Sequence, residues 1–292
     1  MLQQVMRQVL AREAIPARPR WWMAASGMRD WYGFLGSRLR AHLGERSRTI
    51  VSRAAVRTLT RRAEALRAAG ALAIDPTAPS DVALLGAGLY RIYAAPKAAW
   101  ILEAAPGMRS GASAWWRARR LVAPLDAEAR WREVTVHLGE LLVVMTEDLP
   151  AELAHARRIL GDICKEAGGR YARRMMKAWG IDRTPSDAPG LAIEILRTSE
   201  YLFRVNPEHW SESDAAKGTG YLEGTACPWF DRPGWNGAHC GIFGQFQAGV
   251  TAELGLKYIL EKTIPKHGGD TCRVELKPLP PEKLVRPRMS RS

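Results

Sequence analysis

Seven residues near the C-terminus constrain the fold most. From Thr271 to Lys277, Cys272, Val274 and Leu276 alternate with Arg273, Glu275 and Lys277. A period of two is the pattern of a strand with one face buried and one face wet. Leu256 to Thr263 reads as a second strand. Lys266-His-Gly-Gly-Asp270 reads as the turn between them, so the two predict a hairpin.

Ahead of the hairpin, His239 to Leu254 carries Ile242, Phe243, Phe246, Val250 and Leu254 on one helical face. Gly241, Gly244 and Gly249 lie in the same segment. Each weakens a helix by roughly 1 kcal/mol relative to alanine, so their expected use is close approach of another backbone. Tyr221 to Ala226 reads as a strand that delivers Cys227. Tyr201, Phe203 and Val205 alternate as a strand that stops before Pro207, and residues 208–218 read as a polar loop. Leu191 to Leu196 fits either helix or strand.

Leu149-Pro150-Ala-Glu152 starts a helix that runs to about Trp179 and stops at Gly180. Its apolar stripe includes Leu160, Cys164, Ala167, Tyr171 and Met175. Asp126 to Thr146 carries Trp131, Val134, Leu138, Leu141 and Leu142 on one face. Residues 1–70 read as helices, with stripes Trp31, Phe34, Leu35, Leu39, Leu43 and Val51, Ala55, Leu59, Ala63, Leu66. Pro16 and Pro19 are expected to break the first two helical stretches apart. The organisation expected is an Arg-rich, mostly helical region over 1–130, a domain over 131–277 and a Pro-rich basic tail over 278–292.

The chain of 292 residues has a net charge of +13, and residues 1–70 supply most of it through fourteen Arg and no Lys. Such a region suits an acidic protein or an anionic surface as partner, or is a solvated helix surface. Trp21-Trp22 beside Arg18 and Arg20 stack on bases, sit in a lipid interface or cover a core edge. Arg7, Arg12, Arg18 and Arg20 break any secretory leader pattern, and charged residues interrupt the longest apolar stretch, so no transmembrane span is expected. A cytoplasmic location follows, with the four cysteines reduced. No Gly-rich nucleotide loop, HExxH or GxSxG is present, and the chemistries those motifs support lose their usual evidence.

The remaining candidates are thiols. If a helical turn starts at Pro228, Cys227 caps it, and the positive end of the turn favours thiolate. His239 would then serve as acid or base. Cys227 as a small buried residue and His239 as a structural group are the competing readings. Cys240, Glu261 and Cys272 form a second candidate set, for zinc. Arg204 and Arg273 are candidates for clamping a substrate carboxylate, or are surface arginines.

The stretch from about Leu149 to Lys277 resembles the L-2-amino-thiazoline-4-carboxylic acid hydrolase-like family. Its last 40 residues also look like 4-vinyl reductase type small-molecule-binding domains. The residues that carry the likeness are Gly168-Gly169, Thr225-Ala-Cys-Pro228, Cys240 and Glu261-Lys-Thr-Ile-Pro-Lys-His-Gly-Gly-Asp-Thr-Cys-Arg273. The resemblance implies an α+β fold, with helices packed on an antiparallel sheet. It implies a hydrolase that opens a small cyclic amidine, thiazoline or other carboxylated heterocycle with cysteine assistance and no cofactor. Cys227 would be the nucleophile and His239 the acid/base, with Trp229, Cys240, Arg204 and Arg273 around the substrate. Cys240, Glu261 and Cys272 match three of four zinc ligands of sensor relatives. The alternative is a non-catalytic small-molecule-binding or assembly protein that docks through its basic helices. A homo-oligomer is expected in either case.

Overall fold

The computed structural model describes residues 7–10, 12–71, 100–104, 120, 123–181, 186–203, 205, 209–267 and 270–280. Pro16 separates a helical turn at residues 7–10 from helix α1 (Ala17–Leu43). Pro19 breaks nothing. It falls in the first turn of α1, where its missing N–H has no intrahelical partner to lose. Gly44, at φ 57°, ends the helix. Helix α2 (Arg46–Ala68) buries Val51, Ala55, Leu59, Ala63 and Leu66, the full stripe expected from spacing. Helix α3 (Ala127–Asp148) is capped by Asp126, whose carboxylate accepts from Ala129 N at 2.8 Å. It packs against both α1 and α2.

Along the seam between α2 and α3, arginine meets acid. Arg46 and Arg53 reach Glu152, Arg57 reaches Glu147 and Asp148, and Arg61 reaches Glu140 and Glu147. Much of the local positive charge is therefore balanced within the fold. Each exposed pair is worth at most about 1 kcal/mol. Deeper in the same seam, Arg62 grips Glu133 with bonds of 3.0–3.2 Å, both side chains being buried.

After a single 3-10 turn at Leu149–Ala151, helix α4 begins at Ala156 rather than at Pro150. His155, at φ 58°, interrupts the path between them. The helix ends at Ala178, with Gly180 at φ 70° beyond it, as the sequence predicts. Helix α5 (Ala188–Phe203) resolves the ambiguity at 191–196 and overturns the strand expected over 201–205. Alternation of three apolar residues also fits the end of a helix whose faces are nearly all covered. Tyr201 is held there by a distant segment: its hydroxyl donates to Glu13 O at 2.7 Å and accepts from Ile15 N at 2.9 Å.

The sheet has four antiparallel strands in the order β1-β2-β4-β3: β1 (His209–Asp214), β2 (Thr219–Gly224), β3 (Leu256–Lys262) and β4 (Cys272–Pro278). β1 replaces the polar loop expected there. It is an edge strand with almost no buried residue, so its sequence lacks the alternation that burial imposes. Leu222 and Leu260 flank Val274 in register, and Gly220 and Tyr258 flank Leu276. This inner face lies under α5 and helix α6 (Gly237–Ala252). A short helical turn, Ile264–His267, stands between β3 and β4. Gly268 and Gly269 of the expected turn lie outside the described residues.

Helices α4 and α6 touch backbone to backbone. A Cβ on Gly168 would lie 1.8 Å from Phe246 O, and one on Gly249 would lie 1.9 Å from Lys165 O. Gly249 thus has the role foreseen for the α6 glycines. Gly244 has only ordinary contacts, and a Cβ on Gly241 would meet nothing within 4 Å. The result is an α+β fold: a mostly helical N-terminal region, then helices on an antiparallel sheet. One buried cluster runs from Ala24 of α1 through α3 and α4 to Ile242 of α6. Among the described residues no helix is long and apolar enough to cross a membrane.

Candidate functional site

Trp229 anchors the corner after β2. Its indole lies against Gly139 of α3, where a Cβ would come within 2.3 Å of the ring. Its Nε1 donates to Thr135 O at 2.8 Å. A larger residue at 139 would push the corner away. Cys227, two residues earlier, is therefore held over the sheet. Cys240 comes from the first turn of α6 and Cys272 from the start of β4. Together the three thiols and Trp229 line a small cavity of about 70 Å³.

The thiols in this cavity are not poised as thiolates. Burial pushes the Cys227 thiol up and outweighs the N–H groups of Trp229 and Phe230, which act in the expected direction. The turn after Pro228 forms, but its favourable end is the weaker effect. Burial raises Cys240 to about 11 against the pull of the Trp235 indole N–H, and it raises Cys272 as well. Cys164, expected in the core, is buried in α4 and raised to about 12.

His239 lines neither this cavity nor its neighbour. It is the third residue of α6 and completes a capping box with Asn236. Its Nδ1 accepts from Asn236 N at 3.1 Å, which places the proton on Nε2. Nε2 donates to Thr146 Oγ1 at 2.8 Å, and Thr146 in turn donates to Val143 O. Both ring nitrogens are occupied, and burial lowers the pKa. The structural reading of His239 is the one this geometry fits.

Arg273 lies on the outer face of the sheet, opposite Cys272 and Val274. It sits over the Tyr221 ring at 5.6 Å and reaches Glu223 at 3.5 Å. It lines neither cavity. Arg204 lies outside the described residues. Glu261 occupies the irregularity between Leu260 and Lys262 in the β3–β4 register and is exposed. Cys240, Glu261 and Cys272 are not gathered as a ligand set. Among the described residues no three His, Cys, Asp or Glu side chains converge as metal ligands.

The small cavity shares a wall with a much larger one of about 920 Å³. Glu200, Gln247, Trp229, Trp235 and Phe243 line both. Trp31, Phe34, Phe203 and Phe246 add aromatic surface to the larger space. Exposed residues of α1 and α4, among them Asp30, Arg170 and Arg174, form its rim.

At the shared wall sits a buried polar chain. The Tyr258 hydroxyl donates to Gln247 Oε1, and Gln247 Nε2 donates to Glu200 Oε1 at 3.1 Å. Arg197 pairs with the other Glu200 oxygen. Burial raises the Glu200 carboxyl to about 7, and Arg197 and Gln247 only partly offset it. A carboxyl near neutrality in a mostly apolar cavity suits proton transfer or recognition of a polar ligand group.

Sequence reasoning did not single out Glu200, Gln247 or Tyr258. Glu200 lies four residues after Leu196 on the buried face of α5, so a helical reading through Tyr201 exposes it as an acid on an apolar stripe. Gln247 stands one position from Phe246 in the α6 stripe. Tyr258 shares its strand face with Leu256 and Leu260. Comparisons with protein-family models, with curated proteins and with solved structures find no match.

Proposed function

We propose that this protein binds a small molecule with an apolar, ring-bearing body in the cavity of about 920 Å³. The observation that carries the reading is the position of Glu200 and Gln247 at the inner wall of an aromatic-lined space. Apolar walls supply most of the binding free energy, at roughly 25 cal/mol per Å² of buried surface. The few polar groups set orientation. Below its pKa of about 7 Glu200 is neutral and presents both a donor and an acceptor to the ligand. Above it, the carboxylate leans on Arg197 and selects a donor.

Cysteine-assisted ring opening, the chemistry implied by the hydrolase-like resemblance, has less support from this site. Cys227 would have to act from a raised pKa and with a base other than His239. Glu200 lines the same small cavity as Cys227 and is the group available for proton transfer.

The test is calorimetric titration with neutral ring and chain alcohols, 2-naphthol and 1-decanol, on the full chain and on Ala167→Trp. Ala167 lines the cavity from α4, and the substitution fills space without removing a polar group. Saturable binding that weakens at least about tenfold in the variant, about 1.4 kcal/mol, supports the reading. Absence of binding to the unaltered chain, or equal binding to a folded Ala167→Trp protein, removes it.

A further inference from the structure

The polar chain at the shared wall keeps one donor and one acceptor unspent. Burial raises the Tyr258 phenol well above its usual pKa, so it stays protonated and donates to Gln247 Oε1. That bond fixes the orientation of the Gln247 amide. Its Nε2 faces Glu200 Oε1 at 3.1 Å and uses one N–H there. Among the described residues nothing accepts the second N–H. Glu200 Oε1 takes only this one bond among the described residues, and Arg197 holds the other oxygen. A carboxylate oxygen accepts about two bonds, so Oε1 keeps one acceptor site. Glu200 and Gln247 are 6% and 9% exposed and line both cavities, so the surface they retain faces these spaces.

A spare N–H beside a spare acceptor oxygen is matched by a group that offers the reverse pair in one plane. A cis amide does so: its C=O accepts from Gln247 and its N–H donates to Glu200. A hydroxyl has both functions on a single atom and cannot align both bonds as well. A carboxylate has no donor and brings a second negative charge to Glu200. Rings define the rest of the ligand. Phe243 stands one helical turn before Gln247 on the same face of α6. Its ring meets Trp229 edge to face at 4.9 Å, and Trp235 packs on Trp229 at 4.7 Å. These three rings line both cavities beside Glu200 and Gln247, and a flat body packs well against them. We infer that the ligand is a planar fused-ring lactam, with the N–H and C=O of its amide edge on Glu200 and Gln247. The inference rests on the binding reading above and names the chemical class of its ligand.

The experiment is calorimetric titration of the full chain at about pH 8, where Glu200 is ionised. It compares 2-quinolone, N-methyl-2-quinolone and 2-naphthol. All three share a flat two-ring body, and only 2-quinolone carries an N–H beside its C=O. It is expected to bind at least about tenfold more tightly than either of the others, because a site built around a ligand N–H rejects analogues without it. The naphthol controls for the bulk of the added methyl group. Gln247→Met keeps the side-chain length, removes the N–H donor and should reduce the preference to less than about threefold. Equal affinity for 2-quinolone and 2-naphthol, or for 2-quinolone and its N-methyl derivative, overturns the inference. A full preference retained by a folded Gln247→Met protein overturns it as well. The ligand comparison is made on the unaltered chain, so it decides the matter even where the variant fails to fold. Binding of none of the three also overturns the inference. In that case binding of 1-decanol leaves the cavity reading standing, and its failure to bind removes that reading too.

Discussion

Gln247 donates to Glu200 at 3.1 Å from a helix 47 positions away in the chain, and both side chains are buried. The pair joins α5 to α6 at the wall between the two cavities. Its carboxyl is neutral or charged according to pH within the physiological range.

That carboxyl gives stability a definite pH slope. Folding raises Glu200 from 4.5 to about 7, so the folded state holds a proton that the unfolded chain has released. The stabilising contribution is present below the unfolded pKa and is lost as pH rises through about 7, by up to about 3 kcal/mol. Urea unfolding at several pH values should show the loss in the natural chain. Glu200→Gln should remove it. Parallel pH profiles for the two proteins would show that Glu200 does not titrate as described.

His137 works in the opposite sense. It is buried against Tyr32, whose hydroxyl lies 2.6 Å from Nε2, and burial together with Arg62 lowers it from 6.5 to about 3. Its contribution is present above the unfolded pKa and lost as pH falls below about 6.5. The imidazole NMR signals of His137 should stay in the neutral position down to about pH 4 while the protein remains folded. A midpoint near 6.5 would contradict the buried assignment.

The helix pair α4–α6 predicts a contrast between two glycines. Gly168→Ala forces a methyl onto Phe246 O, a backbone atom, and should destabilise by about 3 kcal/mol. Gly241→Ala adds a methyl to open space within a helix and should stabilise by roughly 0.5–1 kcal/mol. Thermal and denaturant unfolding of both variants measures the difference. A tolerated Gly168→Ala would mean that the helices do not meet as described.

Thiol reactivity separates binding from cysteine chemistry. Burial raises all four thiols. Cys240, at about 11, has a thiolate fraction near neutral pH about a hundredfold below that of an ordinary cysteine. Mass-resolved alkylation of the folded chain should be slow at every site and fast only after unfolding. Rapid, selective labelling of Cys227 would restore the nucleophile reading.

The sequence shows where helices and strands with one covered face must lie. The stripe Val51 to Leu66 in α2 and the alternation in β4 each follow from a single face meeting a core. Periodicity fails where that cause is missing. β1 buries almost nothing and shows no pattern, whereas the end of α5 is covered so fully that its period disappears. The meeting of Cys227, Trp229, Cys240 and Cys272 is partly foreseeable, because strand ends and helix starts lie near one edge. The occupation of His239 by Asn236 and Thr146 is not, because Thr146 is 93 positions away.

Local spacing therefore determined the helical stripes and the hairpin, since each depends on residues within a few turns of one another. Long-range contact decided the rest. It assigned His239 to a cap, turned Arg273 outward and raised the thiols. It also placed Glu200 and Gln247 among aromatic rings around one hollow. Burial, desolvation and the direction of a side chain depend on what the far parts of the chain bring alongside, and no window along the sequence contains that.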